Sequence, residues 1–506
     1  MRCVRGCAGR PAEALSLFRR PRLFRFRQLG HCSPRSFPPI RLKDALVFRR
    51  LLIPMFALVT AFPAAADPLD DIVERYMEAS HIPGVAIAVV EDGRITRLGG
   101  YGSANLEWDS PVTPDTPFQT ASASKIIAGV VLMRLVEQGL IGLDDPISRH
   151  FDDAPDAWNG ITIRQLASHS SGLADGISLP STASAADLAR EAMTRPLAYE
   201  PGSTSRYGLT DFVVMTAILE KVSGLSYPEL VRREVVEPLG LTHTGFTMLT
   251  EGGPVRTSEV MQGRAEVYGY RGEVQRAEEF LYPVRTYAAG GLYSSVRDFA
   301  TLMQALEAGR LLKPESFALL THPVKLNDGR DGDFGVGWTF GRYRGEVTVG
   351  HTGGPALADV MYVPGRDLTV IALTNQRRFY PLLAQSIADL HLPEPAGRPD
   401  IADDRPQLTA GLRTLFAEAT AGAPPEALFS EIGKQGALGF YRDFGQAMLI
   451  AVGPVRSIGL LSENADGDGT RRLYRVDFER RRMFFVVRAD GQGLLNEVRP
   501  LSGDPD

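Results

Sequence analysis

Cysteine is scarce in this chain, and its placement excludes several kinds of chemistry. The three cysteines, Cys3, Cys7 and Cys32, all lie near the amino terminus. Beyond them the sequence excludes disulfides, a thiolate nucleophile, cysteine-ligated zinc and lipid attachment to a cysteine. Stability must come from a hydrophobic core instead, and a hydrophobic content of 44% is enough to build one.

Positive charge is also scarce outside the first 50 residues. Residues 1–50 hold 13 basic and 2 acidic residues, whereas the remainder holds 42 basic and 58 acidic residues, a net charge of −16. An acidic body repels a phosphate backbone, so nucleic acid is not an expected partner. Lysine is rarer still, with six residues against 49 arginines.

Two common hydrolase motifs are missing as well. The chain contains no Gly-x-Ser-x-Gly, which excludes the nucleophile elbow of an α/β-hydrolase. It contains no His-Glu-x-x-His, so a metalloprotease has no visible zinc site. We therefore expect neither a metal nor another cofactor.

The amino-terminal region has the order of segments found in a secretory signal. Arginines precede an apolar run over residues 51–62, and three alanines follow at residues 64–66. This order predicts cleavage after Ala66, and twelve apolar residues including a proline are too few to span a membrane easily. We predict that residues 1–66 form a targeting region, with residues 1–46 upstream of the true start codon. The mature protein is then periplasmic or secreted, bacterial, and without a stable membrane anchor.

Hydrophobic periodicity predicts an α+β protein with two folded parts. Strands at both ends of residues 67–390, with helices between them, indicate one antiparallel sheet beside a helical lobe. Residues 391–406 are rich in Pro, Asp and Gly and predict a linker. Residues 407–506 predict an accessory α+β domain of two short helices followed by four strands, which modulates access, stability or pairing.

The individual elements follow from apolar spacing and turn residues. Helices are predicted over 69–80, 125–139, 161–172, 210–223 and 298–309, and strands over 85–90, 94–98, 347–351, 359–363, 368–374, 456–461, 471–478, 483–488 and 494–499.

A possible nucleophile stands at the start of the most apolar predicted helix. Ser122 and Lys125 are three residues apart and would share one helix face. A serine hydroxyl needs a neighbouring base before it can attack, and a buried lysine can lose its proton whereas arginine cannot. Most Ser-x-x-Lys sequences are ordinary helix starts with a solvated lysine, so the pattern needs support from elsewhere in the chain.

Two further segments offer a proton shuttle and an oxyanion hole. Tyr207 lies in a Gly/Ser-rich loop before a predicted helix, where a nearby ammonium would lower the pKa of the phenol and favour the phenolate. Residues 350–354 lie at a strand end rich in glycine, where a backbone N–H and that of Ser122 could hold an oxyanion. Taken singly, such a tyrosine is more often a packed loop residue, and such a glycine-rich segment is more often a plain turn.

Together and in this order, these segments resemble the serine β-lactamase and penicillin-binding protein superfamily, specifically its class C β-lactamase-like branch. The resemblance covers about residues 69–390 and rests on residues 118–125, 161–173, 289–295, 350–354 and 374–375. That branch also contains D-alanyl-D-alanine carboxypeptidases, D-aminopeptidases and esterases. The resemblance implies a β-lactamase/transpeptidase-like fold, an antiparallel sheet flanked by helices with a helical lobe.

The resemblance implies roles for three catalytic residues. Ser122 corresponds to the acylated nucleophile and Lys125 to its proton-sharing partner. Tyr207 corresponds to the tyrosine of the Tyr-x-Asn element, where Leu209 replaces the asparagine.

The substrate-binding and oxyanion residues implied by the resemblance are Ser122 and the segment from His351 to Gly354. His351 replaces the lysine of the Lys-Thr-Gly element, Thr352 and Gly353 complete it, and Gly354 offers the second oxyanion N–H. The loss of an amide and of a fixed positive charge weakens the case for efficient β-lactam hydrolysis.

The sequence therefore predicts a serine hydrolase that acts through an acyl-enzyme on a small-molecule or peptide substrate: a β-lactam, a D-amino-acid peptide or an ester. The alternative is a catalytically weak penicillin-binding module that binds or senses cell-wall peptides. Residues 175–195 and 250–287 are expected to frame the pocket.

Overall fold

The computed structural model describes residues 67–505 except residue 248 and the pairs 253–254, 279–280, 355–356, 378–379 and 395–396. The predicted targeting region, residues 1–66, lies outside the described residues. Among the described helices, none is long and apolar enough to cross a bilayer.

The α-helices have these bounds: α1 Pro68–Ser80, α2 Ser124–Glu137, α3 Ile163–Ala167, α4 Ala185–Met193, α5 Leu209–Ser223, α6 Tyr227–Val231, α7 Glu237–Leu239, α8 Val296–Glu307, α9 Pro314–Leu320, α10 Leu383–Ala388, α11 Pro406–Thr420, α12 Glu431–Gln435, α13 Ala437–Phe440 and α14 Gln446–Val452.

The strands have these bounds: β1 Gly84–Glu91, β2 Arg94–Asn105, β3 Ser110–Pro111, β4 Phe118–Gln119, β5 Leu249–Gly252, β6 Val255–Ser258, β7 Tyr268–Arg271, β8 Val274–Ala277, β9 Tyr293–Ser294, β10 Thr339–Tyr343, β11 Glu346–Gly353, β12 Ala358–Val363, β13 Leu368–Thr374, β14 Val455–Asp466, β15 Gly469–Phe478, β16 Arg482–Ala489 and β17 Leu495–Pro500.

The central sheet joins the two ends of the predicted catalytic segment. Its seven strands lie in the order β10-β11-β12-β13-β1-β2-β3, and β1 is antiparallel to β13, with Val85 opposite Thr374. This pairing confirms the prediction of one antiparallel sheet closed by distant parts of the chain. The four carboxy-terminal strands form a second antiparallel sheet in the order β14-β15-β16-β17.

Strand β1 is buried on both faces and separates two hydrophobic clusters. Ala86, Ala88 and Val90 belong to a cluster with α2, α5 and α8, whereas Val85, Ile87 and Val89 face the opposite side because strand side chains alternate. The second cluster contains residues of α1, α10, α11, α14 and the carboxy-terminal sheet. One layer of core therefore lies between the central sheet and the segment beyond the predicted linker.

Helix α2 carries Lys125 into the first cluster. Eleven of its fourteen residues are buried, and Gly139 follows its end at φ 71°. The prediction of a largely buried helix closed by a glycine is correct, because a left-handed conformation after the last turn favours glycine.

Two helix predictions need correction. Helix α3 ends at Ala167 rather than near residue 171, because His169 adopts a left-handed conformation (φ 54°) that turns the chain. The carboxy-terminal segment holds one helix of 15 residues, α11, and three short ones instead of two short helices. Its apolar positions Leu408, Leu412 and Leu415 are buried, and the last two belong to the second cluster.

Candidate active site

Ser122 lies in a single 3₁₀ turn, Ala121–Ala123, immediately before α2. The turn is held in a strained conformation, since Ala121 has φ 46° and its side chain is fully buried. The end of β11 presses against this turn: a Cβ atom on Gly353 would lie 2.1 Å from the Thr120 carbonyl oxygen. Only glycine fits there, and the contact places the predicted oxyanion segment beside the nucleophile.

Lys125 is buried, with 2% of its surface exposed. Its Nζ donates to the Ala289 carbonyl oxygen (2.8 Å) and lies 2.8 Å from the Tyr207 hydroxyl. Burial lowers the pKa of this amine to about 7, although the charge of Asp211 opposes that shift. At neutral pH a large fraction of Lys125 is therefore an uncharged amine.

Tyr207 connects Ser122 to Lys125. Its hydroxyl is hydrogen-bonded to Ser122 and to Lys125. Loss of solvent around the hydroxyl raises the pKa of Tyr207, and the hydrogen bond with Ser122 only partly offsets this. The direction is opposite to the predicted one, so at neutral pH Tyr207 is a phenol flanked by an amine with a lowered pKa.

Asp175 fixes the segment that carries Tyr207. Its carboxylate accepts hydrogen bonds from the backbone N–H groups of Leu209 and Thr210 (3.2 and 3.0 Å) and from the Thr210 hydroxyl (2.8 Å). It thus caps α5 from 34 residues upstream. Sequence rules look for a cap in the residue just before the helix, which here is Gly208, so they miss this carboxylate.

A buried His–Asp pair lies behind Tyr207. His169 Nδ1 is 3.0 Å from Asp211 Oδ2, and the Ser171 hydroxyl donates to the other carboxylate oxygen. The His169 ring packs 4.6 Å from the Tyr207 ring. The family resemblance covers His169 without implying a role for it, and no sequence pattern points to Asp211.

His351 is buried and neutral. Its Nδ1 donates to the Thr352 carbonyl oxygen (2.6 Å), and burial lowers its pKa to about 3. No fixed positive charge therefore stands at this end of the site, where the related element has a lysine. Thr352 and Gly354 are exposed on either side of the buried Gly353, and Leu209 is 41% exposed at the start of α5.

The two segments predicted to frame the pocket are connected through Arg285. This buried guanidinium donates to the carbonyl oxygens of Leu179 (3.0 Å), Pro180 (2.7 Å) and Ser181 (3.0 Å). A displacement of one of these two segments would therefore break hydrogen bonds to the other.

The geometry can be compared with known proteins. The family model for Beta-lactamase matches residues 69–390. Protein flp of Staphylococcus aureus (strain COL) is 28% identical over 187 residues, 35% of this chain and 38% of that protein. The chain thus spans well under two thirds of the length of that relative. Penicillin-binding protein 4* of Bacillus subtilis (strain 168) is 27% identical over 327 residues, 61% of this chain and 71% of that protein.

A solved structure shows the same fold. The octameric penicillin-binding protein homologue from Pyrococcus abyssi aligns with a TM-score of 0.56 at 21% identity, over 85% of this chain and 98% of that one. The family match spans more than half of the sequence and coincides with the segment that carries Ser122, Lys125 and Tyr207. The chain therefore belongs to the Beta-lactamase family.

Proposed function

We propose that this protein is a serine hydrolase that forms an acyl-enzyme at Ser122 with ester or amide substrates. The observation that carries the proposal is the hydrogen-bonded series Ser122–Tyr207–Lys125, which ends on a buried amine with a pKa of about 7. An amine near neutrality beside a weak nucleophile is the arrangement that activates a serine.

The proton follows this series during acylation. Ser122 Oγ attacks the carbonyl carbon, its proton passes to the Tyr207 oxygen, and the Tyr207 proton passes to Lys125 Nζ. The N–H groups of Ser122 and Gly354 stabilise the oxyanion. When the tetrahedral intermediate collapses, the proton returns through Tyr207 to the leaving alcohol or amine. Water then repeats the sequence against the acyl-serine and releases the acid.

The neutral site favours some substrates over others. His351 supplies no positive charge and Leu209 no amide, so neither a substrate carboxylate nor an acyl-side amide gains its usual partner. We expect esters and D-amino-acid amides or peptides to react faster than β-lactams. The similarity to a penicillin-binding protein supports a bacterial protein that acts outside the cytoplasm, in the periplasm or secreted.

Covalent labelling tests the proposal. Intact mass spectrometry after incubation with a fluorophosphonate or benzylpenicillin is expected to show one adduct, absent in Ser122→Ala. Ser203→Ala is the matched control, because this serine lies in the Tyr207 loop and its hydroxyl donates only to the Glu200 carbonyl oxygen. An adduct that persists in Ser122→Ala contradicts the proposal.

The alternative of a cell-wall peptide-binding module predicts a different outcome. Such a module would be labelled at Ser122 but would not turn over. A panel of p-nitrophenyl acetate, a chromogenic cephalosporin and D-alanine amide separates the two, since only a hydrolase releases product beyond one equivalent.

A further inference from the structure

A groove of about 630 Å³ runs beside the hairpin formed by β2 and β3, away from the Ser122 turn. This volume lies within the range of about 300–1,000 Å³ that ligand pockets occupy. Eleven of its lining side chains carry hydrogen-bonding groups or an aromatic ring, among them Trp108, Ser110, Asp115, His243, Gln262 and Arg264.

An exposed indole stands at the mouth of this groove. Trp108 has 80% of its surface exposed, so it contributes little to the core. It is nevertheless held in place: Asn105 Oδ1 accepts hydrogen bonds from the N–H groups of Glu107 and Trp108 (2.9 Å each). The Leu106 N–H donates to the Tyr268 hydroxyl (2.8 Å). A rigid turn thus presents a large aromatic face to solvent.

The groove contains one carboxylate, Asp115, and one guanidinium, Arg264, beside uncharged amide and hydroxyl groups. Asp115 is paired with Arg297 (2.6 Å), which compensates its charge. His243 Nδ1 is hydrogen-bonded to the Thr242 hydroxyl (3.1 Å), and Gln262 is exposed. Amide, hydroxyl and imidazole groups both donate and accept, which suits a ligand rich in hydroxyl groups.

We propose that this groove binds a neutral oligosaccharide, with one pyranose ring stacked on Trp108. A pyranose has an apolar face of C–H groups, which the negative face of an indole attracts, and a rim of hydroxyl groups for the amide and imidazole partners. The turn also carries Glu107 and Asp109, whose charges repel an anionic membrane surface. These charges favour a saccharide over a lipid as the occupant.

A series of contacts connects the groove to the strand that precedes the Ser122 turn. The Arg264 guanidinium lies 5.3 Å from the Tyr293 ring centroid, and Gln119 Nε2 donates to the Tyr293 hydroxyl (3.4 Å). Gln119 ends β4, three residues before Ser122. If Ser122 acts as in the proposed function, on which this step alone rests, a saccharide in the groove would be linked to the Ser122 turn through these contacts.

Intrinsic fluorescence tests the binding directly. The chain has three tryptophans, and Trp158 and Trp338 are fully buried, so a change in iodide quenching reports on Trp108. Titration of the full Ser122→Ala chain with N-acetylglucosamine tetramer and with cellotetraose should give a saturable decrease in quenching. Trp108→Phe should lose this signal. Using Ser122→Ala separates binding from acylation, so a failure of either proposal is recognised independently.

Calorimetric titration with the same oligosaccharides measures affinity without a fluorescence signal. Trp108→Ala and Gln262→Ala are each expected to weaken binding by about tenfold. Ile432→Ala, which alters an equally exposed apolar residue of the carboxy-terminal segment, should bind as the parent does.

Three results would overturn the proposal. The first is the absence of a saturable change in quenching or heat up to about 10 mM of either oligosaccharide. Binding weaker than this would not be specific. The second is a response to phosphatidylglycerol vesicles but not to sugar. The third is a decrease in iodide quenching of Trp108 that depends on protein concentration alone and not on sugar. That result would indicate a contact between two copies of the chain.

Discussion

Lys125 and Tyr207 illustrate how burial decides proton positions at the scale of single residues. Both groups lose solvent, and desolvation disfavours the charged form of each, so the pKa of the amine falls while that of the phenol rises. A phenolate–ammonium pair is therefore disfavoured relative to a phenol–amine pair. In the proposed mechanism the amine is therefore the final proton acceptor, and Tyr207 transmits the proton.

The first consequence is a pH dependence set by Lys125. Because the neutral amine is the reactive form and its pKa is about 7, the acylation rate should rise with pH through about 7 and level off above about 8. Stopped-flow measurements with p-nitrophenyl acetate between pH 5.5 and 9.5 test this. A rate that rises only above pH 9 would identify a phenolate as the base instead.

Two variants test the roles of the amine and the phenol separately. Lys125→Arg keeps the charge but cannot deprotonate, so the rate should fall by at least about 10²-fold at every pH. Tyr207→Phe keeps the ring and removes only the hydroxyl. It should lower kcat by about 10²–10⁴-fold with a modest change in KM, as expected for loss of a proton-transfer group.

At the scale of elements, the position of Tyr207 depends on how α5 begins. Gly208 precedes the helix and has no side chain to cap it, so the Asp175 carboxylate performs this function from a distant loop. Helix α5 and the Tyr207 loop are thereby held by one side chain.

Asp175→Ala should therefore affect stability and catalysis together. Loss of the cap is expected to lower the free energy of unfolding by about 1 kcal/mol, measured by urea denaturation, and to reduce kcat because Tyr207 is less well held. Asp187→Ala is the matched control, since it breaks a capping box on α4. If both variants lose stability but retain full kcat, Asp175 is only a structural cap.

The elements also show what the sequence could predict and what it could not. Helix α2 and strands β1 and β13 were predictable because long apolar runs have few alternatives to burial. The early end of α3 was not predictable, because it depends on a left-handed His169, a conformation that no local spacing requires. The remote cap by Asp175 depends on tertiary contact alone.

The proximity of the candidate site residues could be predicted from the sequence, but their electrostatics could not. Ser122, Lys125 and Tyr207 could be named from motifs, and the structure brings Lys125 within 2.8 Å of Tyr207. The direction of their pKa shifts depends on burial, which short motifs do not encode. Trp108 carries no motif at all, and its significance follows only from the turn that exposes it.

At the scale of the whole molecule, the segment after the predicted linker is attached through a buried guanidinium. Arg481 is 7% exposed and donates to the Ser386 hydroxyl (3.1 Å) and the Leu382 carbonyl oxygen (3.3 Å). The same Ser386 hydroxyl is hydrogen-bonded to Tyr76 of α1 (2.8 Å). A polar contact thus ties the carboxy-terminal sheet to α10 and α1 within the second cluster.

Arg481→Ala should loosen this attachment. Removal of the guanidinium leaves several buried acceptors unsatisfied, at a cost on the order of 3 kcal/mol. Urea unfolding followed by circular dichroism should then precede the loss of buried-tryptophan fluorescence, since residues 407–506 contain no tryptophan. Arg480→Ala, its half-exposed neighbour, should leave one transition within about 0.5 kcal/mol of the parent. Coincident transitions in Arg481→Ala would show that the apolar contacts alone join the two parts.

The pairing of β1 with β13 also determines when the protein can fold during its synthesis. Val85 meets its partner Thr374 roughly 290 residues later. At about 5–20 residues per second, translation needs on the order of 15–60 s to supply that partner. Throughout this interval β1, whose first seven residues are buried in the folded protein, has one unpaired edge. Newly made chains must therefore be kept from aggregating until β13 has been synthesised. Truncation before residue 368 would leave this edge of β1 permanently unpaired.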